Sequence, residues 1–463
     1  MLRSASRRAS SSLEGVTHSF EPAPETPFEH PSWSMNATIY QINTRHFTPE
    51  GTLRAAMAHL PRLAELGVGI LWLMPVHEIG EVNRKGGLGS PYAVRDYYSV
   101  SAELGTVEDL KDFVAAAHDL GLKVILDWVA NHTAWDNVLV EQHPEWYSRD
   151  WKGDFRPTPW WDWDDIIDLD YSHAELREWM TEAMAWWVRE VDVDGYRCDV
   201  AGMVPTDFWE TVRAVLDEIK PVFLLAEWEA RDLHHRAFDM TYGWSWNDAL
   251  HKIAHGKADL EALRVYYAWD AKAYQRDSIR MLFVSNHDKN AWEGTEYEQF
   301  GDALEAAIVL SVASKGMPLI HNGQEAGMDK RLSFFDKDEI VWAEHPMRDL
   351  YARLIRLRRD TRALWSGKHG APMVPVPTTA DDRVLAFVRQ DDDTKVFASF
   401  NLSPEPVSVA FRESPAPGHY RDFFAPDGSD GSDGSDGSDE QTVEIVEGEP
   451  VELGPWDYRL LLG

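Results

Sequence analysis

Val124-Ile-Leu-Asp127-Trp-Val-Ala-Asn131-His132 runs from apolar residues into an acid, an amide and a histidine. An unbroken apolar run is how a strand buried on both faces reads, and such strands belong to parallel sheets covered by helices. Three later stretches also end a short run on an acid: Asp194-Gly-Tyr-Arg197-Cys-Asp199, Val222-Phe-Leu-Leu-Ala-Glu227 and Leu282-Phe-Val-Ser-Asn-His287-Asp288. In a (β/α)₈ barrel the reactive groups stand at the C-terminal ends of the strands. Four strands ending in Asp127, Asp199, Glu227 and Asp288 would aim a ring of carboxylates into one pocket.

Outward from these segments, apolar runs alternate with helical periods. Strands are predicted at 37–42, 68–74, 122–127, 195–198, 222–226, 238–242, 281–285 and 318–321. Helices are predicted at 52–66, 107–120, 174–191, 206–219, 247–257, 302–314 and 347–359. Such alternation implies a parallel sheet, and eight strands close a TIM barrel. The expected barrel covers 33–132 and 171–367, with a short insertion at 133–170 after the third strand. Beyond 368 short strands follow one another without helices, which predicts a C-terminal antiparallel β-sandwich at 368–463. Within it, residues 427–440 repeat Asp-Gly-Ser. That stretch has nothing to bury and is expected to be a solvated loop, and it lacks the nonapeptide pattern of calcium-binding β-rolls. Residues 1–32, rich in Ser, Pro and Glu, are expected to form a disordered tail.

The 463-residue chain carries 45 basic and 78 acidic residues, a net charge of −33. This argues against nucleic acid and anionic membranes as partners, since both attract basic surfaces. No protein partner is implied. Counted along the sequence there are 14 Lys beside 31 Arg. A lysine-poor acidic surface is of the kind that works in concentrated salt, where screening suppresses self-repulsion. The single cysteine, Cys198, excludes an intrachain disulfide framework and is read as a buried structural thiol. No apolar run is long enough to cross a membrane. The first residues are basic but lead into no apolar segment, so cytoplasmic residence is expected, with secretion the alternative.

Two carboxyl groups can cleave a glycosidic bond when one is ionised and the other protonated. Arg197 and Asp199 share the inward side of an alternating strand, so the guanidinium would keep Asp199 charged as a nucleophile. Glu227, in the apolar stretch 222–228, would be raised by burial and suited to protonating a leaving oxygen. A structural ion pair inside the barrel is the plain alternative for Arg197 and Asp199. The insertion holds Trp135, Trp146, Trp151, Trp160, Trp161 and Trp163, and the whole chain 21 Trp. Aromatic faces suit pyranose rings. Two or three of these are expected to touch sugar and the rest to pack.

In order and spacing, the four segments resemble the signature regions of the α-amylase family, glycoside hydrolase family 13. Asp127-x-Val129-x-Asn131-His132 resembles the first, Gly195-x-Arg197-x-Asp199 the second, Glu227 the third and Asn286-His287-Asp288 the fourth. Ser90-Pro-Tyr92-Ala-Val-Arg-Asp96-Tyr97 resembles the family's segment after strand two. The resemblance implies a retaining enzyme that cleaves α-1,4-glucosidic bonds in starch, maltodextrin or glycogen-type glucans. Asp199 would be its nucleophile and Glu227 its acid/base, and Asp288 would stabilise the transition state. Arg197 would orient the nucleophile, with His132 and His287 binding the sugar, Tyr92 stacking on it and Asp127 in support. An α-glucan transglycosylase or an oligosaccharide-specific α-glucosidase on the same site is the alternative.

One departure concerns residues 201–204, Ala-Gly-Met-Val, where many members carry a Lys-His pair for the leaving-side sugar. Another concerns calcium, which the family holds partly through the positions of Asn131 and Asp168. The short insertion offers few further oxygens, so a structural calcium is left open without being favoured, no metal ligand is assigned, and no cofactor is expected to be needed for the chemistry. A metal-dependent barrel with acids on successive strands would want Lys or His bases inward, where this chain has Arg197. A catalytically dead sugar binder would not be expected to retain Asp199, Glu227 and Asp288 together.

Overall fold

Alternation along each strand decides which side chains see the barrel interior. The computed structural model describes residues 24–412, 417–425 and 442–463. Its eight parallel strands are β1 (Ile39–Ile42), β2 (Ile70–Leu73), β3 (Lys123–Trp128), β4 (Gly195–Cys198), β5 (Phe223–Ala226), β6 (Met240–Tyr242), β7 (Ile279–Leu282) and β8 (Met317–His321). They close in the order β1-β8-β7-β6-β5-β4-β3-β2. Ile39, Ile70, Trp72, Ile125, Phe223, Leu225, Met281 and Leu319 fill the inside, while Tyr40, Leu71, Leu126, Tyr196 and Leu224 pack outward against the helices. The same period turns Arg197 inward and Cys198 outward into the packed layer, where its thiol is free and buried. Register sets Asp127 of β3 directly beside Arg197 of β4.

The second unit is all antiparallel. Its strands are β9 (Met373–Pro375), β10 (Val384–Gln390), β11 (Lys395–Asn401), β12 (Val407–Ala410), β13 (Gly418–Asp422), β14 (Thr442–Ile445), β15 (Pro450–Leu453) and β16 (Tyr458–Leu462). Six form one sheet, β9-β10-β11-β16-β13-β14, and β12 pairs with β15 as a second. Val384, Phe397, Val409, Phe411 and Leu461 form the core between them. Buried Arg389 of β10 fastens this unit to the barrel by donating to the carbonyls of Ser314 (2.8 Å) and Trp365 (3.0 Å). The Asp-Gly-Ser repeat at 427–440 and residues 1–23 lie outside the described residues.

Several expectations need correction. The helix read at 52–66 is two, Leu53–Met57 and Leu60–Leu66, because Pro61 has no amide to continue a helix and opens the second one instead. The seventh strand begins and ends earlier than 281–285, since Phe283 and Val284 are buried beyond the ladder. Helix Glu261–Ala273 and strands β9, β13, β14 and β15 were not foreseen. The tail also ends sooner than residue 32. Thr26 bonds both oxygens of Asp277 (2.8 and 2.6 Å), and buried His30 sits 2.7 Å from Asp239 Oδ1 at the N-terminal mouth of the barrel. Hydrogen bonds of that strength anchor polar residues despite a composition poor in apolar side chains.

Candidate active site

Arg197 is the centre of the C-terminal mouth. Fully buried, its Nη1 lies 2.7 Å from Asp127 Oδ1 and 2.7 Å from Asp199 Oδ1. Its Nη2 lies 2.8 Å from Glu227 Oε1 but is not aligned for a hydrogen bond. One guanidinium therefore serves three carboxyls, with Asp288 close enough to add to the charge felt by Asp199 and Glu227. Burial pushes Asp199 up to about 6 against the pull of Arg197, with Asp127 and Asp288 adding to the rise. Burial pushes Glu227 up to about 8, again against Arg197, and Asp199 and Asp288 raise it further. Asp288 rises to about 6 through burial, opposed by Arg197 and Lys289. Burial thus raises Glu227 in the expected direction, while the second amino group of Arg197, reaching across from β4, opposes the rise and was not expected beside it.

The backbone after β4 completes the grip on Glu227. Val200 N donates to Glu227 Oε2 at 2.8 Å. To aim that amide, Val200 adopts φ 35° and ψ 45°. The left-handed region is costly for a β-branched residue, and such strain persists where the surroundings impose it.

His287 and Tyr92 form one wall. The His287 amide donates to Gln41 Oε1 (3.2 Å), which leaves Gln41 Nε2 to donate to His287 Nδ1 (2.7 Å). The imidazole proton is thereby assigned to Nε2, which faces Tyr92 Oη at 2.7 Å and Asp288 Oδ2 at 3.2 Å. Burial, reinforced by Arg197, holds His287 well below the usual histidine range and so neutral. Tyr92 stacks on His287 with centroids 5.6 Å apart and donates to Asp127 Oδ2 at 3.0 Å. On the other side, His132 Nε2 is 3.8 Å from Asp199 Oδ2, and burial lowers His132 to about 4.

Asp199, Glu227, Asp288, Tyr92, His132 and His287 share one cleft of about 540 Å³. Arg197 and Asp127 lie beneath its floor, inaccessible to solvent. Trp163 of the insertion also faces the cleft, with Trp161 stacked on it at 5.0 Å. Trp135 donates to Asp164 O, and Trp146 is buried against His143. Trp292, Phe334, Phe335 and Lys85 line the cleft too and were not foreseen. Gln41 was also missed, although a glutamine inside an apolar run was a signal. Where the family's Lys-His pair would stand, Gly202 lies against Trp228, and a Cβ there would come 2.4 Å from the indole.

The calcium position does not fit a metal. Asp168 Oδ1 is taken by Asn131 Nδ2 (3.3 Å) and by the Thr158 hydroxyl, and Arg156 Nη2 lies 3.4 Å from Oδ2. A hard cation wants six to eight oxygens, and a guanidinium occupies this flank instead. Among the described residues no three His, Cys, Asp or Glu side chains are grouped to hold a metal ion. None of the described helices is long and apolar enough to cross a membrane.

A closed parallel barrel whose strand ends present paired carboxylates to an aromatic cleft is the construction of a glycoside-cleaving enzyme. Comparison with known proteins narrows the class. Residues 19–366 match the family described as alpha amylase, catalytic domain, and residues 378–455 match alpha amylase, C-terminal all-beta domain. The chain belongs to the α-amylase family of glycoside hydrolases. It is 29% identical over 423 residues to alpha-amylase MalA of Haloarcula japonica, covering 87% of this chain and 60% of that protein. A cyclomaltodextrinase from a Bacillus species is 26% identical over 434 residues, covering 82% of this chain and 75% of the relative. The crystal structure of a noncanonic maltogenic alpha-amylase, AmyB from Thermotoga neapolitana, superposes with a TM-score of 0.81 at 31% identity, covering 92% of this chain and 99% of that one.

Proposed function

We propose that this chain hydrolyses α-1,4-glucosidic bonds of starch, maltodextrin or glycogen-type glucans by double displacement with retention. The observation that carries the reading is the sharing of Arg197 by Asp199 and Glu227 through its two amino groups. That arrangement gathers both carboxyls around one guanidinium, which supports a retaining pair, whose carboxyls stand about 5–5.5 Å apart. Asp199 is held next to a permanent positive charge, which favours its ionised, nucleophilic form. Glu227 keeps its proton at neutral pH and can deliver it to the leaving oxygen.

In the first half-reaction Glu227 protonates the glycosidic oxygen while Asp199 attacks the anomeric carbon, giving a glycosyl ester and a free glucan. In the second, ionised Glu227 takes a proton from water, which attacks the same carbon and releases Asp199. Asp288 borders the sugar ring and stabilises its oxocarbenium-like charge, and His287, whose Nε2–H lies between Tyr92 Oη and Asp288 Oδ2, holds that carboxylate in place. Calcium has no part in this scheme. The surface charge supports work at high salt, and the cytoplasm is the compartment we favour over secretion, a choice that cell fractionation would decide.

Trapping tests the scheme directly. An activated fluoroglycoside incubated with Glu227→Gln should leave a covalent sugar on Asp199, seen by mass spectrometry. A label on another residue, or rapid turnover by the variant, would refute these roles.

A further inference from the structure

The loops at the C-terminal mouth differ in length and in how they are tied together around the ring. Those after β2, β3, β8 and β7 are long and joined edge to edge. In the loop after β2, Lys85 Nζ lies 3.0 Å from Asp164 Oδ1 and 3.6 Å from Asp165 Oδ1 of the insertion, and donates to the Asp162 carbonyl. On its far side the same loop reaches the one after β8, through Leu88 N to Phe335 O at 3.0 Å and Gly87 N to Asp336 Oδ1 at 2.7 Å. Gly86, at φ +63°, lets Phe335 approach so closely that a Cβ would fall 2.4 Å from the Phe335 Cβ. Asn290, after β7, then ties in by donating to Lys330 O (3.0 Å) and accepting from Leu332 N (2.8 Å). Trp292 packs on Phe334 at 5.2 Å.

The opposite arc is shorter after β4 and β6, while residues 227–239 after β5 match the loop after β7 in length. Residues 199–205 alone separate β4 from helix Thr206–Ile219, and Gly243 alone separates β6 from helix Trp244–Ala254. Asp199 and Glu227 stand at the ends of β4 and β5 on this arc, whereas Tyr92 and His287 belong to the joined loops. A sugar held between them turns C1 toward Asp199 and its leaving oxygen toward Glu227 and the opening. O4 lies across the pyranose ring from C1, so it faces the wall.

We infer that the joined loops make the site a blind pocket that admits non-reducing chain ends, with Lys85 and Phe335 as its specificity-determining residues. This deepens the α-glucan hydrolase reading and rests on it. A chain running through the site would have to pass the Lys85–Asp164 and Leu88–Phe335 connections, and the energy of breaking them would be charged against internal cleavage.

A matched pair of 4-nitrophenyl maltoheptaosides, one capped at O4 and O6 of the non-reducing end and one free, tests this with the full chain. The free substrate should be cleaved with kcat/KM about 50-fold or more above the capped one, since a pocket that lacks room rejects on transition-state contacts. Lys85→Ala should raise the capped-to-free ratio by roughly tenfold, and Asp164→Ala should do the same from the other side of the contact. Lys85→Arg, which keeps the charge, should leave the ratio near wild type. Equal cleavage of both substrates by the wild type overturns the blind pocket alone. A ratio unmoved in both alanine variants overturns the role of Lys85. No cleavage of either substrate by the wild type overturns the hydrolase reading and this inference with it.

Discussion

Both mouths of the barrel bury acids, but they balance them differently. At the N-terminal mouth Asp239 is met by His30 at 2.7 Å, by the Arg213 guanidinium and by the Leu224 amide at 2.7 Å. Burial would raise Asp239, yet Arg213 and His30 prevail and hold it below the usual carboxylate range. At the C-terminal mouth one cation, Arg197, is shared by Asp127, Asp199 and Glu227, and Asp199 and Glu227 are raised. The same chemistry thus does two jobs. Compensated charge holds the chain together, and under-compensated charge leaves a protonated acid beside an ionised one, ready to react.

The sharpest way to break this contrast is to neutralise one acid at each end. Asp199→Asn or Glu227→Gln should lower kcat by about 10³-fold or more while leaving Tm unchanged or higher, because each removes charge that Arg197 cannot fully satisfy. Steady-state assays with thermal melts check this, and a melt lowered by several degrees would show that these acids stabilise the fold instead.

His30→Ala should do the reverse, costing about 3–5 kcal/mol of stability by leaving buried carboxylates short of a partner. Its kcat/KM on maltotriose should stay near wild type. The pH dependence follows from the same group. Burial disfavours a charged His30, but its hydrogen bonds to Asp239 and Asp277 hold it up to about 9. Because the folded value lies above the ordinary one, its contribution is complete below about pH 6.5. It is then lost as pH rises through about 9. Wild-type Tm should fall across that window, and the His30→Ala melt should be flatter there.

Activity should follow the opposite mouth. Turnover needs Asp199 ionised and Glu227 protonated, so kcat/KM should rise through about pH 6 and fall above about pH 8. Those limbs belong to the coupled acids rather than to either alone. Glu227→Gln should abolish the alkaline limb in whatever activity remains.

The smallest effect concerns the flank of the insertion. A chelator should change neither Tm nor rate, and Arg156→Ala should cost about 1 kcal/mol, as a partly exposed ion pair does. Loss of activity in EDTA that calcium restores would reverse this assignment.

The carboxyls of the candidate site were legible because they end apolar runs, and a strand end in a barrel has one direction to point. Arg197 beside Asp199 followed from a period of two along the strand, whereas Asp127 reaches Arg197 through the register of β3 on β4. The wall was illegible. Trp292 lies in a single π-helical turn and Phe334 and Phe335 in a loop with no period, and the pairing of Phe335 with residues 86–88 depends on folds of backbone that no local pattern records. His30 was hidden for another reason. A polar, proline-containing stretch reads as solvated when its partners, Asp239 and Asp277, lie more than two hundred positions away. The misplaced seventh strand shows that an apolar run reports burial and not ladder pairing, since Phe283 and Val284 are buried without belonging to β7.

The strained turn at Val200 has a genetic consequence. The donor aimed at Glu227 is a main-chain amide, so no ordinary side-chain replacement at position 200 can delete it. Glycine would adopt that conformation more comfortably, and bulkier residues would share valine's discomfort while still presenting the same hydrogen. Val200→Pro is the exchange that strips it away, which makes this backbone grip on Glu227 nearly immune to point mutation at position 200.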